Sequence, residues 1–449
     1  MDRILNVLVR YFDEDMGKVL TQHLASRKVN IADASTLTQE LTDILQSYSL
    51  NWDQKEIFSE FQSLLHLEKK SLIRPISSRF LQMLEVCNRV REIMDPLIVH
   101  FYGFLSPQEQ HKHRWLLNQV LDKHQVTPDE RARIILLRQQ MAKSARTGTV
   151  FNQNRKRRIC VQLFSEFDKL TVLIDLYRGV LPTFQVFLKK LQHEKPMLHV
   201  LHAEMVLLVR ELLSKFMKPE AISMRVNDLL KLDVQNRELQ YPDKKLSVGR
   251  YSFFALNKAR VEKKIWVQNI YSSLRIGYIK AATFLLKNLP LRNRTITSLS
   301  ALAPSMILEE SVQGAFNTLA KALPNVVKSE ELGQLDDEVR AYQIDSDLGA
   351  QAKCYEENTS QIDVDWWSKI LASKTPGGGL RFPVLGKLVK AVLSLFTGPL
   401  IEGSFNIMDD IIENDRVRLN IETYEGLAII KSHMKATGTT ASKMEISPA

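Results

Sequence analysis

Apolar, branched and aromatic side chains open the chain in two short runs, Ile4 to Phe12 and Lys18 to Leu24. Asp13-Glu14-Asp15-Met16-Gly17 separates them and has the composition of a turn, so the pattern predicts a β-hairpin. Ala34 to Tyr48 then reads as a helix, with Leu37, Leu41, Ile44 and Leu45 on one stripe. From Lys55 to about Leu232 the period stays helical. Phe58, Phe61, Leu64 and Leu65 share one face, and Phe80, Met83, Leu84 and Cys87 share another. Pro75, Pro107, Pro128, Pro182, Pro196 and Pro219 punctuate the series as helix starts and stops. Leu232 to Ser252 is polar and weakly periodic, which predicts a loop, and helices resume from Phe253 to about Ala322. Ser329 to Gln361 is acidic and weakly apolar, which predicts a solvated linker. Met434 to Ala449 loses all periodicity and is expected to be a disordered tail. There is no internal repeat. The fold class this predicts is α+β, mostly α-helical.

A lone two-stranded hairpin buries too little apolar surface to be stable. Further strands, or helices, must cover it. If nothing does, its edges expose unpaired backbone groups, and amides from Leu5 to Leu24 should exchange rapidly.

Composition narrows the class only a little. Hydrophobic residues make up 45% of the chain and charged residues 25%, ordinary for a globular protein of 449 residues. The net charge of +10 favours an acidic partner, nucleic acid among them. No run of eighteen apolar residues occurs, so no membrane partner is expected, and the acid-led strand at the start does not read as a secretory signal. Cys87, Cys160 and Cys354 are odd in number and far apart, forming neither a disulfide framework nor a zinc cluster. They suit a reducing compartment, nuclear or cytoplasmic.

The most distinctive stretch runs from Asp363 to Ser432. Asp365-Trp366-Trp367 precedes a glycine turn, Pro376-Gly377-Gly378-Gly379. Phe382-Pro383 opens an apolar helix carrying Leu388, Val389, Val392, Leu393 and Phe396. Gly398-Pro399 breaks it, Ile401-Glu402-Gly403-Ser404-Phe405-Asn406-Ile407-Met408 follows, and Asp415-Arg416 and Arg418-Leu419 lead to a last helix with Ile421, Tyr424, Leu427 and Ile430. In this order and spacing the segment resembles the C-terminal dimerisation region of hAT-type (hobo/Activator/Tam3-like) DNA transposases. Trp366, Trp367, Phe382-Pro383, Glu402, Phe405, Asp415-Arg416, Arg418-Leu419 and Tyr424 carry the match. Gly403 stands where that family usually has arginine, and Ser404-Phe405 reverses its usual Phe–Ser order. Weaker likenesses run in the same order. The hairpin and the Ala34–Tyr48 helix resemble the family's second and third strands and following helix, Ser78-Arg79-Phe80 its Thr-Arg-Trp step, and Leu181 to Pro219 part of its helical insertion.

The resemblance implies a ribonuclease-H-like domain with a large helical insertion, and a homodimer formed through Leu388, Val392, Phe405, Met408 and Leu427. It also implies two aspartates and a glutamate that hold two divalent cations for phosphoryl transfer. Only Glu402 matches one of those acids. Met1-Asp2-Arg3 abuts the hairpin where a strand with the first aspartate would precede it, and Leu50-Asn51-Trp52-Asp53-Gln54 runs straight into Lys55-Glu56-Ile57-Phe58 without the strand of the second. One carboxylate cannot assemble a two-metal site, so the expectation is a degenerate, non-cutting protein with no cofactor and no metal. The alternative is an active or partly active hAT-type transposase in which Asp2 or Asp13, Asp53 and Glu402 converge. Asp13 to Asp15 reads more simply as a polar turn, and Asp53 as a loop or capping residue.

The expected organisation is a sheet remnant over residues 1–54, a helical insertion region over 55–362, the dimerisation region over 363–435 and a tail over 436–449. Two other features invite chemistry. Arg155-Lys156-Arg157-Arg158 closes a cationic stretch that begins at Arg131. It suits phosphate contact or nuclear import as well as a solvated helix end. His199 and His202 stand near Glu204 but lack a suitably spaced third ligand, which favours a structural role.

Overall fold

The computed structural model describes residues 3–29, 52–73, 82–145, 150–191, 195–355, 361–395 and 421–438. The helix expected over Ala34–Tyr48 and the Ser78-Arg79-Phe80 step lie outside them. Among the described residues the chain is mostly helical, with one two-stranded antiparallel sheet. In chain order the elements of eight residues or more are β1 (Arg3–Asp13), β2 (Lys18–Val29), α1 (Trp52–Leu64), α2 (Gln82–Glu92), α3 (Met94–Tyr102), α4 (Pro107–Lys123), α5 (Pro128–Ala145), α6 (Val150–Cys160), α7 (Phe167–Leu191), α8 (Leu201–Ser214), α9 (Gly249–Val261), α10 (Trp266–Asn288), α11 (Ser311–Ala322), α12 (Leu332–Gln343), α13 (Ser346–Lys353), α14 (Pro383–Leu393) and α15 (Ile421–Thr437).

The hairpin forms where the pattern places it. Phe12 pairs with Val19 and Asp13 with Lys18 across the expected turn, and an irregularity between Val7 and Leu8 shifts the register. Asp13 closes the turn by accepting from the Met16 N–H at 2.8 Å, and Gly17 takes the left-handed φ of +60° that side chains avoid.

The chain divides into two compact units. One comprises Asp33–Gln185 and Tyr241–Gly277. Of the expected face, Phe58 and Phe61 of α1 and Leu65 just past its end enter this unit's core with Leu97, Ile98, Leu116, Ile134 and Phe164, while Leu64 is only half-buried against it. Local chemistry starts its helices. Ser106 and Glu109 form a reciprocal cap with Pro107 at the first helical position of α4. Thr127, Pro128 and Glu130 repeat that arrangement at α5, the Thr127 N–H donating to Glu130 at 2.8 Å. Pro182 departs from its expected role, because it lies inside α7 rather than ending a helix. By length and composition only, α7 is long and apolar enough to cross a membrane, which the absence of eighteen consecutive apolar residues did not foretell. Its Asp175 is buried and paired with Arg178 at 2.8 Å and Arg91 at 3.6 Å.

The other unit comprises Met1–Ala32, Val186–Gln240 and Tyr278–Ala449. Its core collects Val19, Leu302, Phe316, Leu335, Tyr342, Trp367, Leu388 and Val392. The units therefore do not divide at residues 54 and 362, since the stretch expected to be one insertion contributes to both. Nor is Ser329–Gln361 a linker as far as it is described. It folds as α12 and α13, and Leu335, Val339 and Tyr342 bury at spacings of four and three while the acids face out. Glu338 is the exception. Buried, it accepts from the Val384 N–H at 2.9 Å and the Leu385 N–H at 2.8 Å, and so caps α14, which has no side-chain cap of its own.

Candidate functional site

The C-terminal segment meets the hairpin along the edge of β2. In an antiparallel strand alternate residues turn their N–H and C=O away from the paired neighbour, and on β2 three such residues find side chains. Val19 donates its N–H to Asp363 Oδ2 at 2.6 Å. His23 donates its N–H to Ser432 Oγ at 3.0 Å, and the Ser432 hydroxyl donates to the Thr21 carbonyl at 3.5 Å. Ser432 lies on α15, and Asp363 on the helical turn Ile362–Trp367. Lys390 of α14 reaches Glu14 in the hairpin turn at 2.6 Å. Side chains of the last helices thus take up these outward-facing groups of β2, and the uniformly rapid exchange expected for the hairpin is revised. Val19 and His23 amides should exchange as slowly as those of α14 by hydrogen-exchange mass spectrometry or NMR. Fast exchange at both, with α14 protected, would mean that the edge is open.

Asp363 is fully enclosed, and burial pushes its carboxyl above the usual carboxylate range while the Val19 N–H pulls the other way. Sequence reasoning passed over Asp363, Ser432 and Glu338, because each acts through a backbone group remote in sequence.

The residues expected to dimerise separate into different environments. Leu388 and Val392 are fully buried in the unit's own core and present nothing to a partner, which corrects their assignment to an interface. The apolar stripe of α14 is consumed by α12 and the hairpin. Leu427 is half-buried on α15, and beside it Ile429 and Ile430 are exposed. Phe405 and Met408 lie outside the described residues, as does Glu402. Asp2 lies outside them too, Asp13 serves its turn, and Asp53 is in the first turn of α1. Among the described residues no three His, Cys, Asp or Glu side chains are gathered to hold a metal ion.

The cationic run lies on α6. Arg157 and Arg158 are exposed, while Lys156 turns inward, half-buried, with its ammonium 4.6 Å from the Phe104 ring centre, and burial lowers its pKa. Arg155 shares the helix. The four residues are therefore not one continuous solvated patch. His199 is buried, His202 bonds to the Leu291 carbonyl at 3.2 Å, and Glu204 holds Lys190 at 2.5 Å, so the three do not converge. The glycines at 377–379 form the expected turn, in which the Thr375 N–H donates to the Gly379 carbonyl at 2.8 Å. No family model matches this chain, and no curated protein or solved structure does so either.

Proposed function

We propose that this chain is a hAT-type transposase-derived protein that does not cut DNA and acts as a nuclear homodimer. The observation that carries the reading is the pairing of Val19 with Asp363 across 344 positions. A ribonuclease-H-like domain interrupted by a large insertion requires that kind of closure, with its opening strands and its Trp-containing segment folding into one core. The remainder rests on the resemblance of the segment from Asp363 to Ser432. The dimer face is assigned to the exposed Ile429 and Ile430, with the half-buried Leu427 beside them, rather than to Leu388 and Val392. Phe405 and Met408 are assigned to it on the resemblance alone. Exposed cations such as Arg157 and Arg158 suit loose contact with phosphates.

Light scattering at several concentrations should give twice the chain mass for the wild type at micromolar concentration. Ile430→Asp should give a monomer that keeps the wild-type circular-dichroism spectrum and melts cooperatively at a temperature independent of its concentration, because a charge at an exposed position harms only an interface. A wild type that stays monomeric overturns the dimer. Cleavage of duplex DNA with Mg²⁺ or Mn²⁺, abolished by Glu402→Gln, overturns the non-cutting assignment.

A further inference from the structure

The helix α9 is attached by one face only. Ser252, Leu256 and Ala259 are buried, and the Ser252 hydroxyl donates to the Val172 carbonyl of α7 at 3.4 Å. At its start Gly249 meets Gly179 so closely that a Cβ on either would sit less than 3.0 Å from the other's backbone. The opposite face is open and carries unusual side chains. Phe254 and Val261 are each 78% exposed and Ile265, just past the helix, is 89% exposed, with Phe253 edge-on to Phe254 at 5.5 Å. Val261 follows Phe254 by seven residues, two turns or about 10 Å along the axis, so the two stand on one line. The turn that presents Ile265 is fixed, because Lys263 adopts a left-handed φ of +51° and the Lys264 N–H donates to the Ala259 carbonyl at 3.0 Å.

Cations flank this apolar line. Arg250, Lys258, Arg260, Lys263 and Lys264 are all exposed, against a single acid, Glu262, which lies 3.6 Å from Lys264. Among the described residues no carboxylate forms an ion pair with Lys258, Arg260 or Lys263. An exposed line of large apolar side chains edged by unpaired charge of one sign marks a surface that awaits a complementary one.

We propose that the outer face of α9, from Arg250 to Ile265, docks an acidic amphipathic helix of another protein. Its apolar side chains would cover Phe254, Val261 and Ile265, and its carboxylates would pair with Arg250, Lys258, Arg260 and Lys263. The branched members of the line choose this occupant over nucleic acid. Bases stack on planar rings, and a polyanion leaves Val261 and Ile265 wet, whereas an acidic helix with apolar residues at every third or fourth position satisfies both features.

The test is a selection of random helical sixteen-residue peptides against the full chain, counter-selected against Phe254→Asp/Val261→Asp. The expected winners are net acidic with apolar residues at helical spacing. A representative should lose at least tenfold in affinity to Phe254→Asp and to Lys258→Glu/Arg260→Glu, and should weaken as salt is raised. Circular dichroism should be unchanged for these surface variants. No wild-type-specific enrichment, or winners that are neutral, basic or unpatterned, would overturn the proposal. So would tighter binding through the same residues by a dT20 oligonucleotide or by phosphatidylserine vesicles.

Discussion

Trp367→Ala is expected to destabilise the unit that holds the hairpin by about 3–5 kcal/mol, the range for truncating a large buried aromatic. Trp367 is fully buried, stacks on Tyr342 at 5.4 Å and lies edge-on to Phe316 at 6.3 Å. Its indole N–H donates to the Leu302 carbonyl at 3.1 Å. Alanine removes the ring, leaves a void that close-packed neighbours cannot fill and strips Leu302 of a partner. Trp367→Phe keeps most of the ring and should lose only about 1–2 kcal/mol, chiefly for the unpaired carbonyl. Trp115 is exposed, and Trp115→Ala should stay within about 0.5 kcal/mol of wild type. Urea melts followed by fluorescence separate these cases. A loss below about 1 kcal/mol for Trp367→Ala would show that the ring does not anchor this core.

What the sequence made legible was local. Branched residues on either side of Asp13–Gly17 specify the hairpin, and Phe58, Phe61 and Leu65 repeat at helical spacing, so both appear where expected. Pro107 and Pro128 mark two helix starts, which in the fold are capped by Ser106 with Glu109 and by Thr127 with Glu130. Periodicity does not say what covers an apolar face. Leu388 and Val392 read as a stripe in need of a partner, and the partner turned out to be the chain itself. Average composition misled in the same way at Ser329–Gln361, where the acids masked Leu335, Val339 and Tyr342 and hid the cap that Glu338 supplies to α14. Closure of the β2 edge by Asp363 and Ser432 was invisible for a related reason. Each is an ordinary polar residue until the fold brings a backbone N–H to it from more than 300 positions away.

The unit that holds α1–α6 should lose stability steeply in acid through a single imidazole. His100 lies on α3, fully buried, with ring centres of Phe101 at 5.0 Å, Phe104 at 5.6 Å, Phe58 at 5.8 Å and Phe61 at 6.0 Å around it. Neither ring nitrogen has a hydrogen-bond partner among the described residues. Burial among these rings, and secondarily the charge of Lys156, push its pKa down from 6.5 to about 3. The neutral ring suits the core, whereas protonation would place an unpaired charge there. Because the folded value is the lower one, the unfolded chain binds the extra proton between about pH 6.5 and pH 3. The contribution of this site is complete above pH 6.5 and is lost as pH falls through that window. The loss amounts to about 3 kcal/mol by pH 4, at 1.36 kcal/mol for each pH step. His100→Phe, or His100→Leu if the larger ring overfills the site, removes the titrating group. Either variant should flatten the fall in melting temperature between pH 6.5 and pH 4 and should equal or exceed the wild type at pH 7, since no buried nitrogen is left unpaired. His199 of the other unit, lowered to about 4 by burial, adds an acid dependence of its own that these substitutions leave in place. Identical acid limbs for wild type and both variants would mean that His100 is solvated or hydrogen-bonded in solution.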